Sequence, residues 1–388
     1  MNDVRREFVM KALSPGANLS ALCREYHVTR KTGRRWRERA KLDGVNFLAE
    51  KSRRPKSSPE KLSEEVICRL IRLKMSYPDW GPSKLCDARF HKGAKAPSAS
   101  SCHRILKKAG LVKSRKTRVR RGSAVVLAAM KATRPNDVWT VDFKGWWRLA
   151  NHERCEPLTV RDAFSRFILA TSVLKNARTA TIKAEFRRLF LLYGLPKVIK
   201  SDNGTPFACA NAPLGLSQLS AWWVALGIVL EHSRPGNPQD NGAHERMHRD
   251  LEARIASKVQ PDAKAQQVAL ELWRQEFNCV RPHDSLQKRR PAEVYCKSTR
   301  KYPPEPLALD YGPGFFLRKI DRGGGLKWNN HRIFISQAIA RWTVGLRLTA
   351  ENTFEVWLNY LFLGSIDLQT NRFGSAPSRS AKTVRLVA

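Results

Sequence analysis

From residue 137 onward the chain switches between two hydrophobic periods in a fixed order, and that order restricts the fold more than any other feature. Three strand-like runs come first. In DVWTVDFKGWWRL, Trp139, Val141 and Phe143 alternate with Thr140, Asp142 and Lys144; PLTVRDAFSR and FILATSV follow after the polar turn NHERCE. TATIKAEFRRLFLLYG then has the 3.6-residue period of an amphipathic helix, ended by Gly194. A short strand KVIKSD, a helix LSQLSAWWVALG, a strand IVLEHS and another helix after RPGNPQDNG complete the series. Strands joined by turns pair antiparallel, whereas strands joined through helices cross over and pair parallel. The order therefore predicts one mixed sheet with helices packed on it.

The flanking segments have other patterns. Residues 4–12 and 19–26 read as short helices, and Thr29 is a good N-cap for RKTGRRWRERAKL. That segment carries Arg30, Lys31, Arg34, Arg35 and Arg37, with Trp36 and Ala40 as its buried side. Two helices joined by a tight turn, the second strongly basic, suit a helix–turn–helix whose recognition helix enters a major groove. Residues 61–111 repeat the theme: Val66 and Leu70, then SKLCDARFHK, then a serine-capped SASSCHRILKKAGL. KSRRPKSSPEK links the two units, and KSRKTRVRRG follows the second with Lys113, Arg115, Lys116, Arg118, Arg120 and Arg121 placed to track phosphates. Beyond the core, residues 315–368 read as short strands with turns at Gly323-Gly324-Gly325 and Asn329-Asn330, which predicts a small β-barrel.

Charge says what such a chain meets. Its 71 Lys+Arg against 34 Asp+Glu give a net charge of +37, spread along the whole length and not confined to a tail. A folded protein with that excess is built for a polyanion. MNDVRREF lacks the apolar core of a signal peptide, and AVVLAAM is too short to span a bilayer, so a cytoplasmic protein is expected. The eight cysteines include no C-x-x-C pair, and Cys86, His91, Cys102 and His103 match no common zinc spacing.

Against that basic background three acids stand out. Asp142 sits within a strand, where Asp is disfavoured. Asp202 ends a strand and precedes Asn203-Gly204, where the chain can turn and leave the acid exposed. Glu245 lies on the helix after RPGNPQDNG, beside the stripe formed by Met247, Leu251 and Ile255. If the first and fourth strands are neighbours, the three carboxylates converge. Two unit charges about 4 Å apart repel by on the order of 4 kcal/mol at an effective dielectric near 20, so such a cluster calls for cations. Oxygen ligands beside a phosphate-bearing partner favour Mg²⁺ or Mn²⁺, and two such ions suit an in-line phosphodiester displacement.

WTVDFKG, VRDAFSRFILA, KVIKSDNGTPF, HSRPGNPQDNGAHERMHRDL and VRPHDSLQKRRPAEVY together resemble the catalytic core of DDE-type insertion-sequence transposases, relatives of the retroviral integrases. The resemblance covers residues 135–297. It implies a multidomain protein: N-terminal all-α helix–turn–helix units (1–50 and 60–112), a basic linker (113–134), a central α/β ribonuclease-H-like core (135–297), a C-terminal small β-barrel (310–370) and a basic tail (371–388). It implies Asp142, Asp202 and Glu245 as catalytic metal ligands holding two Mg²⁺ or Mn²⁺ ions. Double-stranded DNA, both element ends and target, is the implied partner, bound by a homo-oligomer, with no membrane and no small-molecule substrate. The 42 residues between Asp202 and Glu245 exceed the family's usual gap, and the extra length falls in FACANAPLGL. Glu252, seven residues beyond Glu245, competes for the third-ligand role. Arg166, Asn203, Gln239, Asn241 and His248 are candidates for active-site support, while His283 reads as a packing residue. The loop 234–241 and the helix turn behind it are expected to order only when metal and DNA bind. Two other functions fit less of the sequence: a DNA-binding regulator with a relict core, and a nuclease that cuts without joining.

Overall fold

The computed structural model describes residues 2–49, 62–91, 96–112, 131–209, 212–233, 242–256, 259–305 and 307–376. Basic residues Lys113, Arg115, Lys116, Arg118, Arg120 and Arg121, the loop 234–241 with Gln239 and Asn241, and the linker sequences KSRRPKSSPEK and KSRKTRVRRG lie outside them. The chain divides into two compact units, residues 1–63 and 64–388.

The first unit holds α1 (Asn2–Leu13), α2 (Leu19–Glu25) and α3 (Arg30–Asp43). Thr29 caps α3 as expected, its hydroxyl accepting from the Thr32 amide at 3.2 Å. Phe8 is fully buried, with Tyr26 and Trp36 edge-on against it at 5.5 and 5.4 Å. Gly33 lets α3 come this close: a Cβ there would lie 2.5 Å from Cys23 Sγ and 2.9 Å from Phe8 Cζ. Arg30, Lys31, Arg34 and Arg35 stay exposed, and Arg37 is half-buried.

The second unit begins with α4 (Glu64–Ser76), the single turn α5 (Pro82–Leu85) and α6 (Ala99–Lys108), packed around Leu70, Trp80, Leu85, Cys102 and Leu106. SKLCDARFHK belongs to the expected second helix–turn–helix unit, and within it α5 stops after one turn. Asp87 instead gathers the backbone amide, Nε and Nη2 of Arg89, a local arrangement that competes with helix continuation. His91 Nε2 donates to the Leu85 carbonyl (2.9 Å), burial pushes the Cys102 thiol up to about 11, and Cys86, His91, Cys102 and His103 form no cluster of metal-ligating atoms among the described residues.

The core follows in the expected order: β1 (Val138–Phe143), a small hairpin β2 (Trp147–Arg148) and β3 (Arg154–Cys155), β4 (Pro157–Asp162), β5 (Ile168–Val173), α7 (Thr179–Tyr193), β6 (Val198–Ser201), α8 (Gln218–Ala225), β7 (Val229–His232), α9 (Gly242–Leu251), α10 (Ala263–Cys279) and the turn α11 (Pro291–Val294). The sheet order is β5-β4-β1-β6-β7; β1, β4 and β5 are antiparallel, and β6 and β7 run parallel to β1. One face packs on α7 and α8 through Trp139, Val141, Phe186 and Trp223. On the other side Met247, Leu251 and Ile255 of the α9 segment join Trp273 and Phe277 of α10 and Ile168 of the sheet. The extra length after Asp202 closes on itself through an Ala208–Leu216 bridge.

The C-terminal part has β8 (Phe316–Lys319), β9 (Gly325–Trp328), β10 (His331–Phe334), β11 (Thr343–Ala350), β12 (Thr353–Leu358), β13 (Leu361–Asp367) and β14 (Arg372–Ser375). Its strands form an antiparallel sheet β14-β13-β12-β11-β8 and a separate ribbon β10-β9. The ribbon packs beside both edges of the sheet without pairing to it, so the expected barrel is not closed by hydrogen bonds. β14 also carries regular structure past residue 370, into the stretch read as a basic tail. No helix among the described residues is long and apolar enough to cross a membrane.

Candidate active site

Side chains alternate across a strand, so Thr140 and Asp142 point away from the Trp139–Val141 core and toward α9. The β1–β4 register pairs Thr140 with Arg161 and Asp142 with Thr159, which puts Arg161 and Thr159 on that same face. The β1–β6 register pairs Thr140 with Lys200; continued two residues, it sets Asp142 opposite Asp202. The first and fourth long strands are therefore neighbours, as convergence required.

Asp142 is three-quarters buried, and burial, then Asp202, then Glu245 raise its carboxyl to about 7. Asp202 is exposed and accepts from the Gly204 amide at 3.2 Å. Glu245, in the first turn of α9, is half-buried. Glu252 turns elsewhere, opening a π-helical turn and pairing with Lys144 at 3.4 Å.

Two histidines complete the floor. His244 and His248, four residues apart on α9, are both buried and both reach the Thr159 hydroxyl at 2.7 Å. That hydroxyl donates to the Asp142 carbonyl at 2.9 Å, so it accepts from both Nε2–H groups. His244 Nδ1 meets the Thr140 hydroxyl at 2.8 Å, leaving neither of its nitrogens free. His248 Nδ1 has no hydrogen bond among the described residues and faces Asp142 Oδ2 at 3.8 Å. Burial holds both rings neutral, His248 down to about 3 and His244 well below its usual range. A lone pair aimed at a carboxylate oxygen is unfavourable unless a cation lies between them.

The one group of three metal-ligating side chains that the described residues bring within 4.8 Å is Asp142, His244 and His248; Asp202 and Glu245 do not join it. Because both His244 nitrogens are engaged, we read the ligand-bearing atoms here as Asp142 and His248 Nδ1. His244 was missed in the sequence, although its spacing in AHERMH, flanking Glu245, was visible. Thr159 gave no signal. Of the other support candidates, Asn203 donates to the Ser233 carbonyl at 2.6 Å and ties the Asp202 turn to the end of β7. Arg166 takes a left-handed backbone (φ 66°) and points into a cavity beside α9. His283 packs edge-on against Phe277 at 4.6 Å.

Family profiles described as integrase core domain match residues 132–238 and 226–291. A homeodomain-like profile matches 32–106 and a helix-turn-helix domain 4–56. An uncharacterized 31.7 kDa protein of insertion element IS407, from Burkholderia multivorans, is 26% identical over 249 residues, 62% of this chain and 84% of its own. An uncharacterized 39.2 kDa protein of insertion element IS476, from Xanthomonas euvesicatoria, is 24% identical, covering 61% of this chain and 66% of that one. Among solved structures, the catalytic core domain of BIV integrase is 24% identical, with 41% of this chain and 93% of that chain covered and a TM-score of 0.32. The profile matches and the two insertion-element relatives make the chain similar to insertion-element proteins, with helix–turn–helix segments ahead of an integrase core domain.

Proposed function

We propose that the protein binds the terminal inverted repeats of its own insertion sequence, cleaves DNA there, and joins the freed 3′-hydroxyls to target DNA as a homo-oligomer. The observation that carries this reading is Asp142, a carboxyl held near 7 by burial and by the two acids nearest it, Asp202 and Glu245. A carboxylate in that setting is stabilised by a divalent cation, and the donor set fits one: oxygens from Asp142, Asp202 and Glu245, with His248 Nδ1 alongside. Two bound Mg²⁺ or Mn²⁺ ions would polarise the scissile phosphate and activate water or a DNA hydroxyl as nucleophile. The chain's own part is positional. Thr159 anchors the Asp142 backbone while holding His244 and His248, and exposed Arg30, Lys31, Arg34 and Arg35 supply DNA affinity.

Asp142→Asn, Asp202→Asn and Glu245→Gln are each expected to abolish cleavage and joining while leaving DNA binding within a few-fold. Glu252→Gln is expected to stay active. A purified strand-transfer assay with Mg²⁺ reads both outcomes. Activity in Glu245→Gln with none in Glu252→Gln would reassign the third ligand; cleavage without joining would make the protein a nuclease; and end binding without either would make it a regulator.

A further inference from the structure

A cavity of about 330 Å³ opens beside the first turns of α9, lined from that helix by Gly242, Ala243, Arg246, Met247 and Asp250 but not by Glu245. Five cations converge on it: Lys84 from α5, Arg161 from β4, Arg166, Arg246 and Arg281. Its carboxylates are already engaged. Asp250 accepts from Arg281 Nη2 at 2.6 Å, and Asp284 is held by Lys288 and Ser83. Lys84, Arg166 and Arg246 form no ion pair among the described residues. Arg161 is 3% exposed, yet among the described residues its one side-chain hydrogen bond runs from Nη1 to the Ala243 carbonyl at 2.6 Å. The Nε atoms of Arg161 and Arg281 are buried without a hydrogen-bond partner among the described residues.

A buried guanidinium with no ion pair is a costly arrangement, only partly offset by neighbouring Asp162, whose carboxylate already accepts from Asn136 and Ser165, and the cations around one cavity repel each other. Burial and then the neighbouring Arg166 lower Arg161 to about 9; burial and then Arg281 lower Lys84. The first turn of α9 adds the positive end of a helix dipole at the same wall. An anion with several acceptor oxygens relieves all of these at once.

We propose that this cavity binds a phosphate group of the DNA backbone, with Arg161 and Arg281 at its base and Lys84, Arg166 and Arg246 around its mouth. The identity of the ligand as DNA rests on the function proposed above; the anion site itself does not. Two placements favour DNA over free phosphate. Arg161 sits on the same sheet face as Asp142, two strand positions beyond Thr159 or roughly 7 Å along β4, so a strand held at the acids presents a neighbouring phosphate to it. Lys84 comes from the helix–turn–helix segment, so one ligand is gripped by both the DNA-binding helices and the core.

The test uses the full chain and the double variant Lys84→Gln/Arg246→Gln, in which Arg246 is exposed and Lys84 half-exposed. Inorganic phosphate is titrated calorimetrically, then displaced with a short mixed-sequence duplex, whose affinity is also measured across a range of KCl. Wild type is expected to bind phosphate and release it to the duplex. In the double variant, phosphate affinity is expected to fall by about tenfold or more. The slope of log Kd against log[KCl] is expected to shrink by about 0.9, the share of one phosphate contact. A control pair on α3, Arg30→Gln/Lys31→Gln, is expected to lower the slope but keep phosphate binding and its displacement. Phosphate that the duplex fails to displace would make this a free-phosphate site and overturn the DNA assignment. Phosphate binding unchanged in the double variant, or absent in wild type, would overturn the site. Cleavage by Asp142→Asn would refute the proposed chemistry and leave this result standing.

Discussion

Asp142 illustrates how a single side chain trades stability for chemistry. Its carboxyl is raised to about 7, so ionising it in the folded protein costs on the order of 4 kcal/mol relative to the unfolded chain. A raised carboxyl leaves stability intact below its unfolded value near 4 and removes it as pH climbs through 7. Asp142→Asn is therefore expected to raise the stability of the metal-free protein at pH 8 by about 2–3 kcal/mol and to change little at pH 4, read from urea midpoints. Saturating Mg²⁺ or Mn²⁺ is expected to stabilise wild type and not the variant, closing the gap. Asp137 works in the opposite sense. Burial pushes its carboxyl up, but bonds from Lys197, Thr133 and the Arg134 amide outweigh it and hold the group well below the usual carboxylate range. It stabilises the protein above its unfolded value and loses that contribution as pH falls. Asp137→Ala, which frees the entry to β1, is expected to cost about 2–4 kcal/mol at pH 7.

Among the elements, α3 was legible because its signals are local: a threonine cap, a helical period and a basic face, all within one run of sequence. What fixes it against α1 was not, since Gly33 matters only through the Cys23 and Phe8 atoms it approaches. Gly33→Val is expected to cost the first unit about 1–3 kcal/mol by overpacking and to weaken DNA binding, with the melting of the second unit unchanged. Arg34→Ala or Arg35→Ala is expected to cost about 1–3 kcal/mol at one base position if that side chain reads a base edge. A loss uniform over all sequences in a binding-site selection would mark a phosphate contact instead. α5 stops after one turn because Asp87 chelates the Arg89 guanidinium, an arrangement that no local pattern in SKLCDARFHK announces. α9 was read correctly at its buried stripe, with Met247 and Leu251 at 1% and 0% exposure, but its His244–Thr159–His248 network required the neighbouring strand.

At the scale of the molecule, α4–α6 do not hang from the core but dock on it. Arg254 pairs with Asp79 at 3.4 Å and Glu276 at 2.9 Å, and Arg89 pairs with Glu293 at 3.0 Å. The C-terminal sheet docks too: Asn359 donates to the Val224 carbonyl at 2.9 Å and Tyr360 to the Ile228 carbonyl at 2.7 Å, closing the end of α8. Scanning calorimetry is expected to resolve two transitions, one for residues 1–63 and one for 64–388. Arg254→Ala is expected to lower amide protection in α4 by about 1–3 kcal/mol, because it leaves half-buried Asp79 and Glu276 facing one another without their cation. Separate melting of α4–α6 in wild type would show that the docking is too weak to couple them.

What the sequence determined by itself is whatever depends on period and local spacing: the order of strands and helices, the alternation that turns Asp142 away from the Trp139 core, the basic face of α3. The sheet order then brought Asp142 opposite Asp202, a consequence of β1 pairing with β6 that no local pattern states. Tertiary structure alone decided the rest. Arg161 in PLTVRD is an unremarkable strand arginine until β4 carries it beneath α9, where Lys84 and Arg281 arrive from segments far away in the chain. Burial and electrostatic crowding are properties of neighbours in space, and these neighbours are set by how helices close over the sheet, not by the residues beside them in the sequence.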